Sequence, residues 1–131
     1  MAQDERIVLF DASAVLAVVF REPGVERVMA HLAQGFAPTP VMVEILSKMA
    51  QKGGTVSQAR LAIEGFGLKW RALGPAVAEL AADYLLRFRR NGISLADATC
   101  LAMAEMHNLP VLTGDRQWAM LGLKLDIRLI R

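Results

Sequence analysis

The order of apolar segments along the chain constrains its fold more than any other feature of the sequence. Short apolar runs such as 6–10 and 111–112 alternate with longer segments in which apolar residues recur every three or four positions. The short runs are typical of buried strands, whereas the longer spacing indicates amphipathic helices. The resulting order, β-α-α-β-α-α-β-α-α-β-α-β, predicts an α/β fold whose central sheet is mostly parallel and carries helices on both faces.

Turn and cap residues divide the chain into about five strands and the helices between them. Strands are predicted over residues 6–10, 36–37, 68–73, 111–112 and 126–130. Helices are predicted over residues 11–20, 25–32, 39–53, 56–64, 74–91 and 95–107, with a short helix after Asp115. Thr39 is the expected N-cap of the third helix. No repeat or linker interrupts the 131 residues, so we expect a single domain over residues 1–131.

Composition excludes two classes of protein. A chain with 54% hydrophobic and 21% charged residues is not intrinsically disordered. Its longest apolar stretch, Ala12–Phe20, is far shorter than the roughly 20 residues of a membrane span. The start of the chain is acidic where a secretory signal would be basic. A single cysteine, Cys100, allows no internal disulfide. We therefore expect a cytoplasmic protein that makes no use of a membrane.

Four acidic residues fall at one end of the predicted sheet. Asp11 and Asp115 each follow a predicted strand, and Glu44 and Asp97 lie early in predicted helices. Ligands of parallel sheets bind beyond the carboxyl ends of the strands, where such helices also tend to begin. Each acid except Glu44 also has a purely structural interpretation, as a helix cap or turn residue. Asp97 in particular completes a capping box with Ser94.

Glu44 has no such interpretation, because it lies too far into its helix to cap it and is surrounded by apolar residues. If the four carboxylates share a cleft, each pair at about 4 Å costs roughly 4 kcal/mol at an effective dielectric of about 20. Only protonation or a hard cation makes such a cluster stable. Ligands that are all carboxylates favour Mg²⁺, with Mn²⁺ as a substitute. A carboxylate–Mg²⁺ site in a chain of net charge +2 suggests phosphodiester hydrolysis.

The four segments around these acids resemble the motifs of PIN-domain nucleases. These segments are Val8–Leu16, Pro40–Lys48, Ile93–Ala98 and Val111–Trp118, and they occur in the family's order over nearly the whole chain. The length of the chain and the segment Arg21–Gly24 resemble the VapC toxins of toxin–antitoxin pairs. The chain departs from the family pattern at Thr99-Cys100 and at Gly114.

The resemblance implies a PIN-like three-layer fold and a Mg²⁺-dependent endoribonuclease that cuts RNA. It also implies homodimers and a cognate VapB-type antitoxin. The site residues that it implies are the catalytic, metal-binding acids Asp11, Glu44, Asp97 and Asp115, with Ser13 and Thr113 supporting the carboxylates through hydroxyl hydrogen bonds. The apolar segments 25–32 and 41–49 are candidate walls of a groove for the inhibitor.

Several basic residues are candidate contacts for RNA phosphates. They are Lys48, Lys52, Arg87, Arg89, Arg90 and Arg116. Local roles compete with this interpretation: the lysines follow Glu44 by one and two helical turns, and the three arginines of 87–90 lie where cations complement a helix dipole. Trp118 is expected to anchor its short helix in the core.

Other functional classes stay open at this point. A receiver-type phosphoacceptor or a dehalogenase-like phosphatase would need an acidic pair after the first strand, where this chain has Asp11-Ala12-Ser13. A non-catalytic module with the same fold, or a PIN nuclease with a non-toxin role in RNA processing, is compatible with the sequence. RNA is preferred over DNA on the resemblance alone.

Overall fold

The computed structural model describes residues 7–131, and its elements follow the predicted order. The strands are β1 (Val8–Phe10), β2 (Gly35–Pro38), β3 (Lys69–Arg71), β4 (Val111–Thr113) and β5 (Ile127–Leu129). The helices are α1 (Ala12–Val19), α2 (Val25–Met29), α3 (Thr39–Lys52), α4 (Val56–Glu64), α5 (Pro75–Arg87) and α6 (Leu95–His107). The predicted start of the first strand, Arg6, lies outside the described residues.

The five strands form one sheet in the order β3-β2-β1-β4-β5, and every pairing is parallel. The chain moves outward from β1 to β3, crosses back to β4 and then continues to β5. Because parallel crossovers are right-handed, this reversal puts α1–α4 on one face of the sheet and α5–α6 on the other. The predicted α/β fold is confirmed, and the point of reversal lies between β1 and β4.

Two predicted helices end earlier than their apolar spacing indicates. Helix α2 ends at Met29 and is followed by a 3-10 turn over Leu32–Gln34. Helix α5 ends at Arg87, before a 3-10 turn over Arg89–Asn91. A 3-10 turn keeps the i, i+3 spacing, so the apolar pattern continues through the change of helix type. The expected cap at Thr39 is also wrong, because α3 begins at this residue with Pro38 at the N-cap position and no side-chain cap.

The core lies around the central strand and α6. All three residues of β1 are buried, as is nearly the whole of α6 from Ala96 to Ala104. Trp118 is buried, as predicted, in a 3-10 turn rather than an α-helix. Cys100 is buried among these side chains. None of the helices in residues 7–131 is long and apolar enough to span a membrane.

Candidate active site

The candidate site lies at the carboxyl edge of the sheet, where the strand order reverses. Strands β1 and β4 are neighbours, with Phe10 paired to Leu112, so the residues that follow them leave the sheet side by side. The Asp11 amide continues the ladder by donating to the Leu112 carbonyl at 3.1 Å. Open parallel sheets bind ligands at this kind of reversal, because the loops on its two sides diverge and leave a crevice.

Asp11 is held by two hydroxyl groups. Its Oδ2 accepts hydrogen bonds from Ser13 Oγ at 2.6 Å and from Thr113 Oγ1 at 2.7 Å. Each hydroxyl is itself fixed by a backbone amide, because Ser13 Oγ accepts from the Gly114 N–H at 2.8 Å and Thr113 Oγ1 from the Asp115 N–H at 3.0 Å. The loops after β1 and β4 are thereby joined through one buried carboxylate.

The other three acids come from separate elements. Asp97 lies in the first turn of α6, in the capping box with Ser94, where its Oδ2 accepts from the Ser94 N–H at 2.9 Å. Glu44 lies on α3, where its Oε2 accepts from Lys48 Nζ at 3.0 Å. Asp115 follows β4, and its Oδ1 accepts from the Gln117 N–H at 2.9 Å. The structural interpretations of Asp97 and Asp115 therefore hold.

Electrostatic coupling joins the four acids. The pKa of Asp11 is raised to about 6, chiefly by burial. The Ser13 and Thr113 hydrogen bonds oppose this shift, and the charges of Asp97 and Glu44 add to it. Burial also raises the pKa of Asp97, and the charges of Glu44 and Asp115 add to this shift. The charges of Asp11, Glu44 and Asp97 thus act on one another, and the charge of Asp115 acts on Asp97.

The donor set fits a hard divalent cation in chemical type. It consists of carboxylate oxygens, which Mg²⁺ and Mn²⁺ prefer. Glu44 Oε1 is buried and has no hydrogen-bond partner among the described residues, and both hydroxyl bonds to Asp11 fall on Oδ2. Within residues 7–131, however, no three Asp, Glu, His or Cys side chains stand in a metal-ligating geometry. Each acid instead accepts a hydrogen bond from a donor in its own loop or helix.

Comparison with known proteins assigns the chain to a family. The family model described as the PIN domain matches residues 8–122. The chain belongs to the PIN domain family. No curated protein matches the chain in sequence.

Solved structures share this fold of the PIN domain. A toxin–antitoxin complex from Klebsiella pneumoniae is 19% identical with a TM-score of 0.71, and the match covers 95% of this chain and 98% of that one. The sarcin–ricin loop cleaving toxin VapC20 from Mycobacterium tuberculosis is 17% identical with a TM-score of 0.73, over 92% and 98% of the two chains. A DNA-bound VapBC from Salmonella typhimurium is 15% identical with a TM-score of 0.73, over 96% and 99%.

The predicted basic residues of this PIN domain divide into two groups. Lys48 and Lys52 line a depression together with Ser13, next to the acids. The Arg87 guanidinium instead stacks on the Tyr84 and Phe88 rings, at 4.7 and 4.9 Å from their centroids. Arg89, Arg90 and Arg116 are exposed in 3-10 turns. An RNA-binding role for these four arginines remains a prediction.

Arg131, a basic residue that sequence reasoning missed, lines the same depression as Lys48 and Lys52. Its position directly after the last predicted strand could have indicated this placement, because it puts Arg131 at the same edge of the sheet as Asp11 and Asp115. It was overlooked because it lies outside every motif of the family resemblance.

A second depression, an apolar groove of about 580 Å³, has Glu44 in its wall and shares no residue with the depression that Lys48, Lys52 and Arg131 line. Its walls include Val43 of α3, Leu95 of α6 and Leu73 between β3 and α5. Val43 and Leu95 are 68% and 62% exposed, and together they form an apolar surface next to Glu44. Of the two predicted walls, α3 lines this groove, whereas residues 25–32 do not; their place is taken by α6 and Leu73.

We expect Thr113→Val to lower the free energy of unfolding by about 2–3 kcal/mol at neutral pH, because it removes a donor to a buried carboxylate and the acceptor of the Asp115 N–H. It should also raise the pKa of Asp11 further. Urea unfolding and NMR titration of the Asp11 carboxyl measure the two effects. Thr99→Val is the matched control, since this buried hydroxyl donates to the Leu95 carbonyl of its own helix. Equal losses in both variants would contradict a special role for Thr113.

Proposed function

We propose that this PIN domain is a Mg²⁺-dependent endoribonuclease whose metal site consists of Asp11, Glu44, Asp97 and Asp115. The observation that carries the proposal is the buried Asp11 carboxylate at the reversal point of the sheet, which Ser13 and Thr113 hold by hydrogen bonds. The charges of Asp97 and Glu44 contribute to its raised pKa, and the charge of Asp115 acts in turn on Asp97. A divalent cation is the ligand that would offset this concentration of negative charge.

The residues of the chain would divide the work at this site. A bound Mg²⁺ would supply Lewis acidity toward the phosphodiester and a bound water of lowered pKa. Ser13 and Thr113 fix the orientation of Asp11 by two hydrogen bonds to one of its oxygens. The capping box fixes Asp97 at the start of α6. Lys48 neutralises Glu44 from the solvent side, where the lysine side chain is 53% exposed.

RNA as the substrate and a toxin role for the chain extend the proposal. They are supported by the motif resemblance and by solved structures of the same fold, which include VapBC complexes and a toxin that cleaves the sarcin–ricin loop. The exposed apolar groove beside Glu44 offers a surface on which a VapB-type antitoxin or a second copy of the chain could bury apolar side chains. The homodimer and a cytoplasmic location stay predictions.

A cleavage assay on total bacterial RNA tests the proposed activity. We expect cleavage at defined sites with Mg²⁺ or Mn²⁺, loss of cleavage in EDTA, and no cleavage of the corresponding DNA sequences. End mapping by sequencing locates the sites. Undiminished cleavage in EDTA would contradict the metal site. A folded protein that cleaves no RNA with either metal would favour the non-catalytic module.

Addition of the small protein encoded by the adjacent upstream reading frame tests the toxin role separately. We expect this candidate antitoxin to abolish the cleavage. An RNA-processing nuclease outside a toxin–antitoxin pair would keep its activity.

A further inference from the structure

A cationic pocket lies beside Asp11, on the far side of Ser13. It encloses about 280 Å³, and its basic side chains are Lys48, Lys52 and Arg131. They come from the second half of α3 and from the residue after Ile130, two segments that are distant in sequence. Ser13 Oγ belongs both to the wall of this pocket and, at 2.6 Å from Asp11 Oδ2, to the acidic site. The pocket and the acids therefore share a wall.

Contacts position all three cations. Lys48 pairs with Glu44 Oε2 at 3.0 Å, so most of its charge is already offset. The Lys52 ammonium lies 5.3 Å from the centroid of the Phe20 ring. The Arg131 guanidinium donates to the Pro23 carbonyl at 3.0 Å and lies 4.0 Å from Glu22 Oε1. A cation over an aromatic ring or on a backbone carbonyl keeps its charge available, because neither partner is an anion. Among the described residues, Glu22 is the one acid in the pocket wall, and it offsets part of the Arg131 charge.

Gly114 explains how Arg131 comes so close to the acidic site. A Cβ at this position would lie 2.8 Å from Arg131 Nη2 and 2.9 Å from its Cζ. The missing side chain thus lets the guanidinium lie against the backbone between Thr113 and Asp115. The glycine by which this chain departs from the family pattern thus leaves the space that the Arg131 guanidinium occupies.

We propose that this pocket binds a backbone phosphate of the nucleic acid, next along the strand from the phosphate that reaches the four acids; the inference rests on the proposed nuclease function. A cluster of carboxylates repels a polyanion, so a strand that approaches it gains from cations alongside. The guanidinium of Arg131 offers two parallel donors, which match the oxygens of a phosphate, and Lys52 adds charge.

Binding of a fluorescein-labelled oligouridylate, with Ca²⁺ in place of Mg²⁺, tests the pocket. We expect Lys52→Ala and Arg131→Ala each to weaken binding about three- to fivefold. Each variant should also reduce the slope of log affinity against log salt by about 0.7, the value for one phosphate contact in a single strand. Glu22→Gln should strengthen binding. Lys124→Ala is the control, because Lys124 precedes β5 and so lies at the opposite edge of the sheet.

The outcomes separate this inference from the nuclease proposal. Wild-type affinity and salt slope in Lys52→Ala, which alters an exposed side chain and leaves the fold intact, would overturn the pocket, as would a failure of the wild type to bind the oligonucleotide. A polyglutamate peptide that binds with equal dependence on Lys52 would also overturn it, in favour of an acidic peptide. If the wild type binds the oligonucleotide more tightly than Lys52→Ala does but never cleaves RNA, the pocket is supported and the nuclease proposal is rejected.

Discussion

Asp97→Asn and Glu44→Gln are each expected to lower the rate of Mg²⁺-dependent RNA cleavage by a factor of at least about 100 to 1,000. Each variant removes one negative oxygen ligand from the proposed metal site. Metal ions contribute several kcal/mol of transition-state stabilisation, and each 1.36 kcal/mol corresponds to a factor of ten in rate. Single-turnover cleavage of a mapped RNA site measures the loss.

The two variants preserve the local structure that surrounds the acids. In Asp97→Asn, the amide oxygen that replaces the carboxylate can still accept the Ser94 N–H and so keep the capping box of α6. Glu44→Gln gives up only the ion pair to Lys48, an exposed pair that contributes little stability. Loss of activity would therefore not reflect unfolding, and circular dichroism of each variant checks that the protein is folded.

Asp126→Asn is the matched control for both variants. Asp126 precedes β5 at the opposite edge of the sheet and pairs with Arg128 at 2.9 Å, with its side chain 47% exposed. We expect wild-type cleavage from this variant. If Asp97→Asn and Glu44→Gln both cleave at rates within about threefold of the wild type, these acids do not hold the catalytic metal. A factor of three corresponds to a change of only about 0.65 kcal/mol in barrier height.

Asp11→Asn is expected to raise the free energy of unfolding of the metal-free protein by about 1–3 kcal/mol at pH 7.5. Burial raises the pKa of this carboxyl from 3.8 to about 6, so the folded protein carries an unfavourable charge at neutral pH. A difference of this size corresponds to up to about 3 kcal/mol. Asparagine removes the charge, and its amide oxygen can still accept from Ser13 and Thr113. Urea unfolding in EDTA measures the gain.

The sign of the pH dependence follows from the same shift. Between pH 4 and 6 the folded state of the wild type binds the Asp11 proton more tightly than the unfolded state, so its stability falls as the pH rises. The penalty is complete above the folded pKa and absent below about pH 4. We therefore expect the stability of Asp11→Asn to exceed that of the wild type at pH 7.5 and to match it at pH 4.

Mg²⁺ should reverse the ranking at neutral pH. A cation that binds only the folded state stabilises the wild type according to its concentration and affinity, and Asp11→Asn loses a ligand for it. A gain in stability from Asp11→Asn that is the same at pH 4 and pH 7.5 would contradict an ionised, strained Asp11. Equal stabilisation of both proteins by Mg²⁺ would show that Asp11 is not a ligand.

The local sequence predicted the elements and the acids because both leave local signals. The apolar runs at β1 and β4 indicated central strands, and their positions in the sheet confirm this. The motif around each acid placed it after a strand or at the start of a helix, which is where the structure has it. The apolar spacing failed only in detail, at the ends of α2 and α5, because α-helical and 3-10 turns share an i, i+3 repeat.

By itself, the sequence determined the α/β order, the parallel sheet and the family, since these depend on periodicity and on motifs within a few residues. Only the tertiary structure decided that Asp11 is buried with a raised pKa, that Lys48 pairs with Glu44 while also lining a pocket, and that Arg131 lies against Gly114. These features depend on the reversal of strand order between β1 and β4, which brings together residues about a hundred positions apart, such as Ser13 and Gly114. The burial of Asp11 and the charges that act on it arise only when these distant segments pack together, so no local sequence pattern predicts them.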